Sequence, residues 1–468
     1  MLSAIFLGGV MMNWKKILKR SICAAAAVTV LMGGGIQVNA AAPAQQLPCY
    51  KTVTEVFDWG PAVSKVIVNL GTKISARDVD NDTFKVYVKR NLPDGALTPA
   101  ESMAITDRIV TLGNEAKDNK DLEGYREVTR AYVCDAEGNP ASSGEYVTIE
   151  MRVAPNDNLG AALNWNARIS YNAFVTPEYT IIQDKKIGKL KNLVIDNCKG
   201  NIRPIVDEFK FGSYATADRR TLTYAAFEPE YDGRKHPLII WLHGGGEGGN
   251  TSPSLPIMGN KATAFAQETI QNYFGGAFVL APQCPTMWME GAGPNGFANG
   301  KPLYEDILMS LISDYASSNP SIDTSRIYVG GDSNGGYMTL CLVRDYPGVF
   351  AAGFPVCEGL ADRLISESDL RRIAQTPLWF VAAATDTTLP PKDYSIPTVQ
   401  RLQNIGAEVY FNYFNDVHDT TGLYFKDNGA AWEYPGHWSW IYVYNNICEE
   451  DIDGRTVKLF EWLASHSK

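Results

Sequence analysis

The sequence predicts an all-β sandwich of immunoglobulin-like type followed by a doubly wound, mainly parallel α/β sheet. Two changes in texture carry this reading. From about Tyr50 to Asn201 the signals are strand and turn, whereas from about Phe209 strands and helices alternate. The strands of the second region are continuous apolar runs, the pattern of a sheet covered on both faces.

In the first region Val66-Ile67-Val68 is apolar, and Phe84 to Lys89 and Tyr146 to Met151 alternate between apolar and polar residues. Turn clusters such as Asp80-Asn81-Asp82 and Glu137-Gly138-Asn139-Pro140 separate these runs. One helical pattern interrupts them, near Ala100 to Arg108. Short strands at such spacing suit a sandwich. The region holds no histidine and no catalytic constellation.

In the second region the expected strands are Pro237–Leu242, Ala277–Pro282, Arg326–Gly330, Ala351–Val356, Pro377–Ala382 and Glu408–Phe414. The expected helices are Tyr304–Tyr315, Asn334–Arg344, Thr398–Ile405 and a closing Thr456–Ala464. Ligands of such a sheet sit at the carboxyl ends of its strands. The glycine-rich stretch Gly291 to Lys301 reads as the rim of a pocket.

Ahead of both regions, Lys15, Lys16, Lys19 and Arg20 precede an apolar stretch from Ile22 to Ile36 and the small-residue site Val38-Asn39-Ala40. That is the pattern of an export signal over residues 1–40. The expected organisation is therefore signal 1–40, sandwich 47–203 and α/β domain 204–468, with the product outside the cytoplasm and no membrane span left after processing. The full chain carries a net charge of −10, and loss of those four cations takes it to about −14. Such a surface repels nucleic acid and anionic membrane, leaving a neutral or apolar molecule as the expected partner. Cys23 leaves with the signal; seven widely spaced cysteines remain, an odd number with no metal-binding spacing. They are expected mainly as small buried apolar side chains.

The strongest motif is Gly331-Asp332-Ser333-Asn334-Gly335, which matches G-x-S-x-G. It sits between an expected strand and an expected helix, the setting of a nucleophile elbow, which makes Ser333 the candidate nucleophile. The bland alternative, a glycine-rich turn with a surface serine, does not require that setting. Directly after the strand Pro237–Leu242 comes His243-Gly244-Gly245-Gly246. Glycines there let backbone N–H groups approach a developing oxyanion. Gly244, Gly245 and the residue after the nucleophile, Asn334, are the candidate donors. A phosphate loop is the rival reading, but no Lys-Ser/Thr follows and no dinucleotide fingerprint is present.

The acid and the histidine should follow in that order. Asp386 lies just past the strand Pro377–Ala382, with Asp393 as the alternative. Three histidines lie beyond it: His418, His437 and His466. His437 is preferred because Gly436 precedes it and aromatic residues follow, and His418, just past a strand, is the alternative. Of the aromatic residues near these motifs, Trp288 and Trp438 are the candidates for the substrate pocket. Serine acyl transfer needs neither metal nor cofactor.

Taken together, His243-Gly244-Gly245-Gly246, Ala281-Pro282-Gln283-Cys284-Pro285, Gly331-Asp332-Ser333-Asn334-Gly335-Gly336 and Gly436-His437-Trp438-Ser439-Trp440 resemble a bacterial family of secreted α/β-hydrolase esterases. Its members are also labelled as peptidases or polyhydroxybutyrate-depolymerase-like hydrolases, and some carry an immunoglobulin-like domain in front. Glu55-Val56-Phe57-Asp58-Trp59-Gly60-Pro61 looks like the opening of that domain. The resemblance implies an α/β-hydrolase fold, a serine carboxylesterase, and His437 as the base, since the family places its histidine in the G-H-x-S-W segment. The short segment between Val356 and Pro377 leaves little cap over the site, which favours short acyl groups. A peptidase of prolyl-oligopeptidase type, a polyester depolymerase and an inert binding protein are the alternatives.

Overall fold

The computed structural model describes residues 47–92, 122–166, 171–250, 252–292 and 296–468. The expected export signal and the expected helix near Ala100 lie outside the described residues.

The N-terminal sandwich pairs two sheets. One has the strand order Cys198–Ile202, Cys49–Phe57, Gly60–Ser75, Ser143–Met151, Val128–Cys134. The other runs Val194–Ile195, Thr176–Gln183, Phe84–Asn91, Glu123–Arg126. Alternation places the core: Phe84, Val86 and Val88 point inward while Lys85 and Lys89 face solvent. Val66, Val68, Val147, Ile149 and Ile181 complete an apolar centre. A short hairpin, Leu163–Asn166 with Tyr171–Phe174, forms its own two-stranded sheet beside the sandwich.

The second domain is built on eight strands: β1 Lys210–Ala215, β2 Thr221–Phe227, β3 His236–Leu242, β4 Phe278–Gln283, β5 Ile322–Asp332, β6 Ala352–Val356, β7 Leu378–Ala383 and β8 Val409–Phe414. Their order across the sheet is β1-β2-β4-β3-β5-β6-β7-β8. Strand β2 is antiparallel to both neighbours, and every pairing from β4 to β8 is parallel. Apolar cores cover the two faces, one including Trp241, Phe354 and Trp379 and the other Leu238, Val329 and Phe380. Burial on both sides explains why β3, β4, β6 and β7 read as unbroken apolar runs.

Two details depart from expectation. The edge strand β1 is mostly exposed, and the strand β2 beside it carries only the short buried run Ala225-Ala226-Phe227 at its end, so this hairpin is an addition to the expected strands. The closing helix is Leu459–Ala464; Thr456 and Val457 instead pair with Glu450 and Asp451 in a small hairpin. Among the described residues no helix is long and apolar enough to cross a membrane.

Candidate active site

Strand β5 ends at Asp332 and the helix Asn334–Asp345 begins one residue after Ser333. Ser333 bridges them at φ 54° and ψ −113°, a conformation that costs an L residue about 1–3 kcal/mol. The surroundings enforce it. The Ser333 N–H bonds the Val356 carbonyl at 2.9 Å, and the Ser333 carbonyl accepts from the Tyr337 N–H. Small residues are required on both sides: a Cβ on Gly335 would collide with the Leu242 carbonyl, and one on Gly336 would lie 2.8 Å from the Glu358 Cα. The strain keeps the Ser333 hydroxyl at the carboxyl edge of the sheet, half-buried.

The His437 imidazole meets that hydroxyl, with Ser333 Oγ 2.8 Å from His437 Nε2. On its other side His437 Nδ1 lies 2.8 Å from Asp386 Oδ2. A carboxylate only accepts, so this bond puts the ring proton on Nδ1 and leaves the Nε2 lone pair facing the serine. Asp386 is held in turn: its Oδ1 accepts from the Thr388 N–H at 2.8 Å and the Leu389 N–H at 2.9 Å. His437 is carried by a short 3-10 turn, Gly436–Trp438, packed directly on the acid loop. A Cβ on Gly436 would collide with the Thr385 backbone, which is why glycine precedes the histidine.

The alternatives fall elsewhere. The exposed His418 bonds Asp416 at 2.6 Å and Tyr442 at 3.1 Å. His466 bonds Glu408 and the Trp462 carbonyl. Asp393 closes the turn Pro391–Asp393 and is not the carboxylate bonded to His437.

The glycine loop leaves the end of β3. His243 is fully buried, and the Cys284 N–H donates to its Nε2 at 3.0 Å. Its Nδ1–H therefore donates to the Gly244 carbonyl at 2.6 Å. Burial lowers its pKa to about 4, so this ring is a neutral strut beneath the loop. Gln283 adds a second strut by donating to the Glu247 carbonyl at 3.0 Å. Asn334 clamps from the other side: its Oδ1 accepts from the Met289 N–H at 2.9 Å and its Nδ2 donates to the His243 carbonyl at 3.4 Å. As the first residue of its helix, Asn334 has a backbone N–H without an intrahelical acceptor. Gly244 is buried and Gly245 half-buried, at the entrance to a 3-10 turn, Gly245–Glu247.

Of the two tryptophans expected in the pocket, Trp288 requires correction. It is completely buried in the core, with its ring 5.3 Å from that of His243. It supports the glycine loop from beneath and offers no surface to a ligand. Trp438 is half-buried and stacks between Tyr434 at 6.2 Å and Trp440 at 5.9 Å.

Residues 49–195 match the family model described as the Esterase Ig-like N-terminal domain, and residues 297–372 match that of the Prolyl oligopeptidase family. Among solved structures, that of a thermostable esterase aligns with 24% identity and a TM-score of 0.67, covering 90% of this chain and 100% of that one. An acylaminoacyl peptidase of Pyrococcus horikoshii aligns with 17% identity and a TM-score of 0.32, over 51% of this chain and 41% of that one. A ferulic acid esterase aligns with 15% identity and a TM-score of 0.36, over 45% of this chain and 91% of that one. No curated protein matches the chain. The fold is that of an α/β-hydrolase. Within that fold, the matched segments are an immunoglobulin-like domain of the kind found in esterases and part of a serine-hydrolase domain of the Prolyl oligopeptidase type.

Proposed function

We propose that this protein is an exported serine carboxylesterase that hydrolyses short-chain carboxylic esters through Ser333, His437 and Asp386. The observation that carries the reading is the unbroken chain of bonds from Ser333 Oγ through His437 to Asp386, each 2.8 Å long. His437 takes the Ser333 proton as the hydroxyl attacks the ester carbonyl. The backbone N–H groups of Asn334 and of the loop at Gly244 and Gly245 form the oxyanion hole, a role suited to donors fixed by buried struts. The imidazolium returns its proton to the leaving alcohol, and water repeats the sequence to free the acid. Asp386 holds the ring in the productive tautomer and balances its charge.

Preference for short acyl chains is supported by the segment between β6 and β7. It contains only a 3-10 turn, Asp362–Leu364, and one short helix, Glu367–Ile373, too little chain for a deep lipid-binding lid. Export is supported by the basic-apolar-small order of the first forty residues. The match of residues 297–372 to the Prolyl oligopeptidase family favours a second reading, cleavage of peptide bonds by the same residues.

The test is hydrolysis of p-nitrophenyl esters from acetate to laurate beside peptide p-nitroanilides, with Ser333→Ala as control. The expected result is turnover of the short esters that disappears in the variant. Turnover confined to the anilides would replace the first reading by the second. Identical traces for the variant and the parent protein would remove both.

A further inference from the structure

Behind the nucleophile lies a second pair of acids that the proposed mechanism does not use. Asp332, the last residue of β5, and Glu247, in the turn after the glycine loop, are 0% and 5% exposed. Both flank Gly244: a methyl group there would lie 2.6 Å from Asp332 Oδ2 and 3.2 Å from Glu247 Oε2. Neutral amides attend them. Asn260 Nδ2 donates to Asp332 Oδ2 at 2.6 Å, and Asn172 Nδ2 donates to Glu247 Oε1 at 3.0 Å. Asp332 Oδ1 meets no donor among the described residues. Tyr444 also faces both acids and Cys357 faces Asp332 and Asp386, and burial keeps both in their neutral phenol and thiol forms. Among the described residues no cation pairs with either carboxyl group. Two carboxylate charges in such a place would be severely destabilising.

Asn172 belongs to the hairpin of the immunoglobulin-like domain. Its neighbour Tyr171 lays its ring along Gly248 and Gly249, where a Cβ on Gly248 would come within 2.6 Å of Tyr171 Cε1. One acid is thus fused to the nucleophile, the other to the glycine loop, and the first domain touches the second acid.

We propose that Glu247 and Asp332 form a proton-sharing clasp that locks the glycine loop to the nucleophile elbow, with Asn172 of the immunoglobulin-like domain holding Glu247 in place. The inference rests on the proposed esterase reading for its catalytic consequence, though not for its physical one. These are positioning residues: they act on the donors around the oxyanion and touch no substrate. Burial supports the clasp, raising the pKa of Glu247 from 4.5 to about 7 and that of Asp332 well above the ordinary carboxylate range. A group that binds its proton more tightly folded than unfolded stabilises the fold at low pH. For Glu247 that stabilisation fades as pH rises from 4.5 to about 7.

The experiment is Tm against pH for the full chain, Glu247→Gln and Asp332→Asn, combined with kcat and KM for those variants and for Glu247→Ala. An amide at either position preserves a neutral, hydrogen-bonding partner and removes one titration. The wild-type Tm should fall across pH 4.5 to 7 by a component of several degrees that is missing in Glu247→Gln. That variant should keep its neutral-pH kcat within about twofold, whereas Glu247→Ala should lose about tenfold in kcat with KM little changed. If Glu247→Gln fails to fold, Asp332→Asn tests the other acid: the component of the Tm fall that sets in as pH rises above 3.8 should be missing. Superimposable Tm profiles for wild type and a folded amide variant would overturn the clasp, whatever the ester assay gives. Equal kcat for Glu247→Ala and wild type would overturn its positioning role. Failure of the esterase reading shows separately, as a wild type no more active than Ser333→Ala.

Discussion

Two carboxyl sites flank Ser333, and they treat charge in opposite ways. In front, Asp386 accepts two backbone N–H bonds and an imidazole N–H, so its buried negative charge is fully satisfied. Behind, Asp332 has, among the described residues, one amide donor and an oxygen without a donor, with a second acid beside it. Burial alone therefore does not assign a role to an acid. Donor count does: a carboxylate saturated with N–H bonds can hold a charged histidine through a reaction, whereas one short of donors is stable only with a proton.

Breaking the front site should have the largest effect. Ser333→Ala should reduce kcat on short esters by about 10⁴-fold or more, measured against the uncatalysed rate with folding checked by circular dichroism. Asp386→Asn should cost nearly as much, about 10⁴-fold near neutral pH, because an amide can donate to Nδ1 and turn the imidazole to the wrong tautomer. A loss below about tenfold would place the charge-balancing acid elsewhere. Asn334→Ala sharpens the contrast by keeping its backbone N–H while removing the side-chain clamp on Met289 and His243. Its expected cost is about tenfold in kcat and about 1–3 kcal/mol of stability, read by denaturant titration. His418→Gln should leave kcat within about twofold, since its partners are Asp416 and Tyr442. A loss comparable to that of the front-site variants would reopen the choice of histidine.

Much of the front site was legible in the sequence because its parts are local. G-x-S-x-G between strand and helix, and glycine before His437, are short-range patterns with steric causes, and the structure displays those causes at Gly335, Gly336 and Gly436. Apolar runs gave β3 to β7 to within a residue or two at their carboxyl ends, because burial on both faces needs no partner to be recognised. Trp288 was misjudged since position after a strand does not reveal depth; only the packed structure puts it under His243. The rear clasp left no comparable trace. Asp332 and Glu247 lie far apart in sequence, and Asn172 belongs to another domain. Nothing in the chain around Asn172 announces a contact with a loop 75 positions away. The edge strand β1 leaves little trace either, because a largely exposed strand mixes polar and apolar residues without a continuous run.

The most direct test of Ser333 as nucleophile is covalent capture. The protein is incubated with a p-nitrophenyl phosphonate, and release of nitrophenol and the mass of the peptide carrying residue 333 are followed. One equivalent of nitrophenol, an adduct on Ser333, and sharply slower labelling in Asp386→Asn are the predicted result. An unmodified Ser333 peptide, or equal labelling of Ser333→Ala at another residue, would contradict it.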